Sequence, residues 1–147
     1  MRRNVFNLER VLHFRRETEK LRKMELALAK REYEIAEDRL RREEEAIERL
    51  NLEFMNRQIE GISAFEMQLY SDFFRKKKVD ILQQREQVTE LDRKVVEKKE
   101  HLVEAATEKK IMEQLKQKRI EAHEKEVALR EQAFLDEIAL QRRGSQA

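Results

Sequence analysis

Gly61-Ile62-Ser63-Ala64-Phe65-Glu66-Met67 interrupts a chain that otherwise holds almost nothing able to break a helix. Gly61 suits the left-handed backbone position just past a helix end. Ser63 and Glu66 stand at capping-box spacing, and Ile62 and Met67 at the spacing of a hydrophobic staple. Three local signals thus agree on a stop and a restart. The spacing predicts one coiled-coil domain over 1–147, with a first helix over about 4–60, a turn over 61–63 and a second helix over about 64–143. Gly144, after Arg142 and Arg143, marks the expected end of the second helix.

On either side of the turn the apolar residues repeat alternately at three and four. Before it run Val5, Leu8, Leu12, Arg15, Glu19, Arg22, Leu26, Ala29, Tyr33, Ala36, Leu40, Glu43, Ile47, Leu50 and Phe54, of which eleven in fifteen are apolar. That is the seam of a coiled coil. Its polar stretch, Arg15 to Arg22, is flanked by Phe14, Leu21, Met24 and Leu28, so the seam is expected to broaden there. After the turn run Met67, Tyr70, Phe74, Lys77, Ile81, Gln84, Val88, Leu91, Val95, Lys98, Leu102, Ala105, Lys109 and Met112. Past Met112 the apolar phase slips toward Leu115, a change that alters supercoiling locally without ending a helix.

Composition closes off other folds. Of 147 residues 44% are charged and 39% hydrophobic, with two Gly, no Pro and no Cys, so strand-and-turn architectures and glycine-rich phosphate loops lack their residues. A net charge of +2 speaks against a general nucleic-acid binder. The absence of Cys fits a reducing compartment. No apolar run approaches the roughly 20 residues of a membrane span, and the basic start has no continuous apolar core of a secretory signal. The expectation is a cytoplasmic protein with no direct membrane insertion.

One unbroken helix dimerising in parallel is the competing all-α reading, since a lone Gly costs only about 1 kcal/mol in a helix. Charge favours the hairpin. With a turn near residue 62, opposed residue numbers sum to about 123. Glu43, Glu44, Glu45 and Glu48 then face the region of Arg75, Lys76, Lys77 and Lys78. A parallel dimer would set each cluster beside its own copy. The fold expected is therefore two long helices in an antiparallel coiled-coil hairpin, monomeric in isolation.

The arms are unequal, roughly 80 Å against 120 Å at 1.5 Å per residue. The second helix overhangs at its C-terminal end from about residue 123. It still carries Val127, Leu129, Phe134, Leu135, Ile138 and Leu140. Each would gain about 1.5–3 kcal/mol on full burial, before entropy, and the hairpin has nothing left to bury it. A partner is the natural supplier; a frayed terminal helix is the plainer alternative. The same end gathers Arg2, Arg3, Arg10, Arg15 and Arg16 against Glu9, opposite Lys109, Lys110, Lys116, Lys118 and Arg119 against only Glu113. That patch is expected to steer an acidic partner. At the turn Phe65, Tyr70, Phe73 and Phe74 crowd together. Tyr70 and Phe74 belong to the seam, whereas Phe73 lies off it as a docking candidate.

Catalytic chemistry finds no footing. His13, His101 and His123 lack ligand spacing and Cys company, so no metal is expected. No cofactor motif is present. Carboxylates on exposed helix faces remain ordinary acids, and a two-helix coil offers no enzymatic pocket. A non-enzyme is expected.

The opening Phe6-x-Leu8-x-x-Val11-Leu12 with Arg15-Arg16-Glu17, the Gly61 to Phe74 turn with Tyr70, and the ending Asp136-Glu137-Ile138-Ala139 resemble the FliJ family across essentially the whole chain. These are small coiled-coil components of the bacterial flagellar type III export apparatus. The resemblance implies a hairpin similar to a rotary-ATPase γ subunit that acts as the central stalk of the hexameric export ATPase. It also implies contact with the cytoplasmic domain of the membrane-embedded export gate, a part in handling substrate–chaperone complexes, and a place on the cytoplasmic face of the membrane at the flagellar base. On this reading Arg3, Arg10, Val127, Phe134, Leu135 and Ile138 would meet the ATPase. Tyr70 and Phe73 would meet the gate. The injectisome counterpart, a self-associating structural coil and a nucleic-acid binder are the alternatives.

Overall fold

In the computed structural model, which describes the backbone over residues 2–146 and side chains over residues 7–145, the chain is all-α. Helix α1 spans Arg2–Glu60 and helix α2 spans Ala64–Gln146. They pair as an antiparallel hairpin. Gly61 has φ 95°, the single positive φ among the described residues, and so ends α1 in the left-handed region. The Ser63 hydroxyl accepts the Glu66 amide at 3.1 Å, and the Ser63 carbonyl accepts the Met67 amide at 3.1 Å. The N-cap of α2 is thus in place. The Glu66 carboxylate reaches Arg57 instead, 3.8 Å away on the other helix. At the far end α2 continues through Gly144, which keeps a negative φ.

Two compact units divide the chain: Leu21–Val103, and Met1–Lys20 with Glu104–Ala147. In the first unit the seam follows the heptad positions from Tyr70 onward in α2, while Met67, the expected first position beside the turn, is 44% exposed. Arg22, Leu26, Ala29, Tyr33, Ala36, Leu40, Glu43, Ile47, Leu50 and Phe54 of α1 are buried or half-buried. So are Tyr70, Phe74, Lys77, Ile81, Gln84, Val88, Leu91, Val95, Lys98 and Leu102 of α2. Ion pairs pin the register: Glu44 to Arg85 at 3.0 Å, Glu32 to Lys94 at 3.2 Å and Glu25 to Lys98 at 3.7 Å. The acidic cluster of α1 therefore reaches Arg85, beyond the 75–78 run, because flanking side chains meet diagonally.

Broadening of the seam does not occur. Leu21, Met24 and Leu28 are exposed, and in the other unit Phe14 is 61% exposed. Arg22 stays in the seam on its aliphatic stem, with its guanidinium 3.0 Å from Glu25. A two-helix coil has no further helix to cover a second stripe, so the apolar residues one position off the seam face outward.

In the second unit Leu8, Leu12, Arg15 and Glu19 of α1 meet Ala105, Lys109, Met112 and Lys116 of α2, all buried or half-buried. Leu12 has no exposed surface. The contact stripe keeps its phase through Lys116, and Leu115 and Ile111 lie outside it. The slip in apolar pattern is thus a slip of sequence alone, and it leaves apolar side chains in the open.

Candidate functional site

Near the turn, Phe54 of α1 packs on Tyr70 and Phe74 of α2, with ring centroids at 4.8 and 5.8 Å. This cluster closes the hairpin, as the seam positions of Tyr70 and Phe74 require. Phe73, one position off, is 44% exposed, with the Lys77 ammonium 5.8 Å above its ring. Together with Leu50, Arg57, Glu66, Leu69 and Tyr70 it lines an open groove of about 450 Å³. Arg57 is held still more firmly protonated, first by a hydrogen bond with Tyr70 and further by the charge of Glu66. The groove therefore presents a fixed cation beside apolar and aromatic walls. Tyr70 and Phe73 are brought together here. Leu50, Arg57 and Leu69 join them, and the seam pattern alone gives no hint that the seam residue Leu50 also lines a groove.

In the unit of Met1–Lys20 and Glu104–Ala147, α2 displays apolar side chains past the last seam contact. Val127 is 39% exposed and Phe134 63%; Leu129, Leu135 and Leu140 are also exposed, while Ile138 is half-buried. Val127 and Phe134 lie seven residues apart, and Ile138 lies four beyond Phe134. They share one helix face.

The basic patch proves different from the expectation. Lys116 pairs with Glu9, Lys109 with Glu19 at 2.8 Å, Arg15 with Glu108 at 2.5 Å and Arg16 with Glu113 at 3.8 Å. Glu19 and Glu108 thus join Glu9 and Glu113, and Lys109, Lys116, Arg15 and Arg16 are paired across the hairpin. Arg15 and Glu108 stand in strict opposition, whereas Glu19 and Lys109 meet a few positions off it. Arg10 is exposed and has an interaction within the chain. Arg3 lies outside the residues whose side chains are described.

Among the described residues no group of three or more His, Cys, Asp or Glu is placed to hold a metal ion, and no helix is long and apolar enough to cross a membrane. His101 sits with its Nε2 3.9 Å from Glu97 of the same helix.

Fold and surface together define a class: an antiparallel coiled-coil hairpin that displays an aromatic groove near its turn and an uncovered apolar helix face in its other unit. The family model described as the flagellar FliJ protein matches residues 4–147. The chain belongs to the FliJ family, which makes it a flagellar protein and points to a component of the export apparatus, in a family of non-catalytic structural proteins. No curated protein and no solved structure matched the chain.

Proposed function

We propose that this single coiled-coil domain is the central stalk of the hexameric flagellar export ATPase, binding and promoting it from the cytoplasmic face of the membrane at the flagellar base. The observation that carries this reading is the uncovered apolar face of α2, with Val127, Phe134, Leu135 and Ile138 on a stretch that no described residue of α1 covers. A helix of this kind suits the inside of a protein ring, where walls on every side bury side chains that water otherwise surrounds. Val127, Phe134, Leu135 and Ile138 supply the apolar contact, and Arg3 and Arg10 the polar edge.

The groove around Tyr70 and Phe73 is the proposed contact for the cytoplasmic domain of the export gate. Its aromatic walls favour an apolar anchor, and Arg57 favours an acidic neighbour of that anchor. Through these two contacts the chain would couple ATPase, gate and the traffic of substrate–chaperone complexes, and so serve motility.

The test uses purified export ATPase and the full chain. Phe134→Asp combined with Leu135→Asp should keep its helical circular dichroism and lose at least about tenfold of ATPase binding, in line with the loss of two buried anchors. Unchanged binding and unchanged activation would reject the stalk. Phe73→Ala should spare ATPase binding and weaken gate binding; undiminished gate binding would remove that contact.

A further inference from the structure

In the unit Leu21–Val103, the large apolar side chains that α1 leaves exposed between positions 21 and 50 are Leu21, Met24, Leu28 and Ile35, each more than half exposed. Single scattered leucines on a surface need no explanation. These four follow one another at three, four and seven residues, so they form one stripe along a flank of α1. The hairpin cannot bury that stripe, because its seam takes Arg22, Leu26, Ala29, Tyr33 and Ala36 instead.

Across the same flank lies α2. Ile35 and Gln87 line one groove between the helices, about 250 Å³ in volume, together with Ala36 and Leu91. Heptad steps carry the α1 wall of this flank from Ile35 back to Leu28 and Leu21, and the α2 rim from Gln87 on to Lys94 and His101. Charges between the walls are already matched: Glu32 meets Lys94 at 3.2 Å and Glu25 meets Lys98 at 3.7 Å. Outside the rim, positions 86, 90, 93, 97 and 100 make one face of α2, and all five are exposed. Four of them are Glu, and the one base, Arg93, is held by Glu90 at 2.8 Å. Glu97 lies 3.9 Å from the Nε2 of His101, which sets this acidic row beside the rim.

One wall is thus apolar and the other acidic, and the two walls together specify an occupant. The heptad repeat of Leu21, Leu28 and Ile35 suits a helix, whose own side chains return at that interval, and not an extended chain. A coil buries a stripe outside its seam by taking a third helix along its flank. That helix must be apolar toward α1 and basic toward α2. We propose that the flank between 21–35 and 86–100 receives a basic amphipathic helix of another protein. Its apolar face lies on Leu21, Leu28 and Ile35, and its Lys or Arg side chains meet Glu90 and Glu97. This contact is separate from the groove around Tyr70 and Phe73 and from the 127–140 stretch, and it rests on neither reading of them.

The probe is a fluorescently labelled amphipathic helix built of leucine and lysine, about 20 residues long, which spans the stripe with a turn to spare at each end. A twin peptide carries Glu in place of every Lys. In anisotropy titrations with the full chain, the Lys peptide should bind, and should lose about tenfold in affinity toward roughly 0.5 M NaCl, where screening shortens to a few Å. The Glu twin should bind at least about tenfold more weakly. Leu28→Asp should weaken binding of the Lys peptide about tenfold with its helical circular dichroism unchanged. Glu90→Lys combined with Glu97→Lys should weaken it as much and flatten the salt dependence. Val96→Asp is the control: Val96 is 49% exposed and lies on the far side of the seam residue Val95 from Lys94, so this variant should bind like the parent. No binding by the parent chain, equal binding of the two peptides, a Leu28→Asp variant that binds like the parent, or an equal loss in Val96→Asp would each overturn the proposal. Sedimentation equilibrium of the chain alone tests the other occupant: self-association that Leu28→Asp abolishes would give the flank to a second copy and overturn it too.

Discussion

Lys109 of α2 sets its ammonium 2.8 Å from the carboxylate of Glu19, the one charged residue buried among those described. The hydrogen bond to Glu19 leads the causes that hold Lys109 above the ordinary lysine range. A group whose pKa is raised by folding stabilises the fold below its unfolded value of about 10.4 and ceases to as pH climbs through the folded value. Glu19→Gln should lower the melting temperature by a few degrees at neutral pH and flatten its decline in the alkaline range. Thermal melts followed by circular dichroism measure both. An unchanged alkaline decline would show that the pair adds nothing.

Glu25 sits on the opposite limb. The Arg22 guanidinium, ahead of Lys98, holds its carboxyl below the usual range. Here the stabilisation is complete above the unfolded pKa, near 4.3, and fades as pH falls through the folded value. Glu25→Gln should therefore narrow the difference in melting temperature between neutral pH and pH 3, with Arg22→Gln acting in the same direction. A parent and variant whose acid melts run parallel would contradict this.

Gly61 is needed for its backbone and not for space, since a Cβ there would meet nothing within 4 Å. Gly61→Ala should cost about 1–2 kcal/mol in urea unfolding, and Gly61→Asn less, because Asn tolerates the left-handed region better. Ser63→Ala, which removes the acceptor for the Glu66 amide, should cost about 1 kcal/mol. If Gly61→Ala and Gly61→Asn cost the same, left-handed strain is not the reason for the glycine.

Leu12 and Phe14 stand two residues apart, and only one of them faces the partner helix. Leu12→Ala should cost about 2–5 kcal/mol, while Phe14→Ala should cost well under about 1 kcal/mol. A reversal of that order would mean the seam runs through the other phase.

Heptad spacing made the fold legible to the single residue: all fourteen described α1 positions of the predicted stripe, from Leu8 to Phe54, lie in the contact face. The turn was legible for a similar reason, because Gly61 and Ser63 act through their own backbone neighbourhood. What periodicity could not show was which of two competing residues wins a place. Apolar Phe14 and Leu21 lie outside the contact face while charged Arg15 and Arg22 lie in it, since geometry assigns positions first and ion pairs such as Arg15–Glu108 then make the charges tolerable. The pairing of the basic residues is not carried by composition along one arm, because Glu19 and Lys109 are both seam residues on different helices and Glu9 reaches Lys116 across the hairpin. At the candidate sites Phe73 could be picked out as off-seam. The company of Arg57 and Leu69 depends on both helices at once, which a one-dimensional pattern does not carry.

The most direct test of the account is whether the chain doubles back on itself in this register. Glu32 and Lys94, 3.2 Å apart between charged atoms, can be replaced together by cysteines in a chain that has none. Dilute protein treated with a short bismaleimide should form an intramolecular cross-link, seen as a faster-migrating monomer, while the pair at Glu32 and His101, one heptad out of register, should form little. Cross-links that arise only between separate molecules, or equal yields from both pairs, would contradict the hairpin.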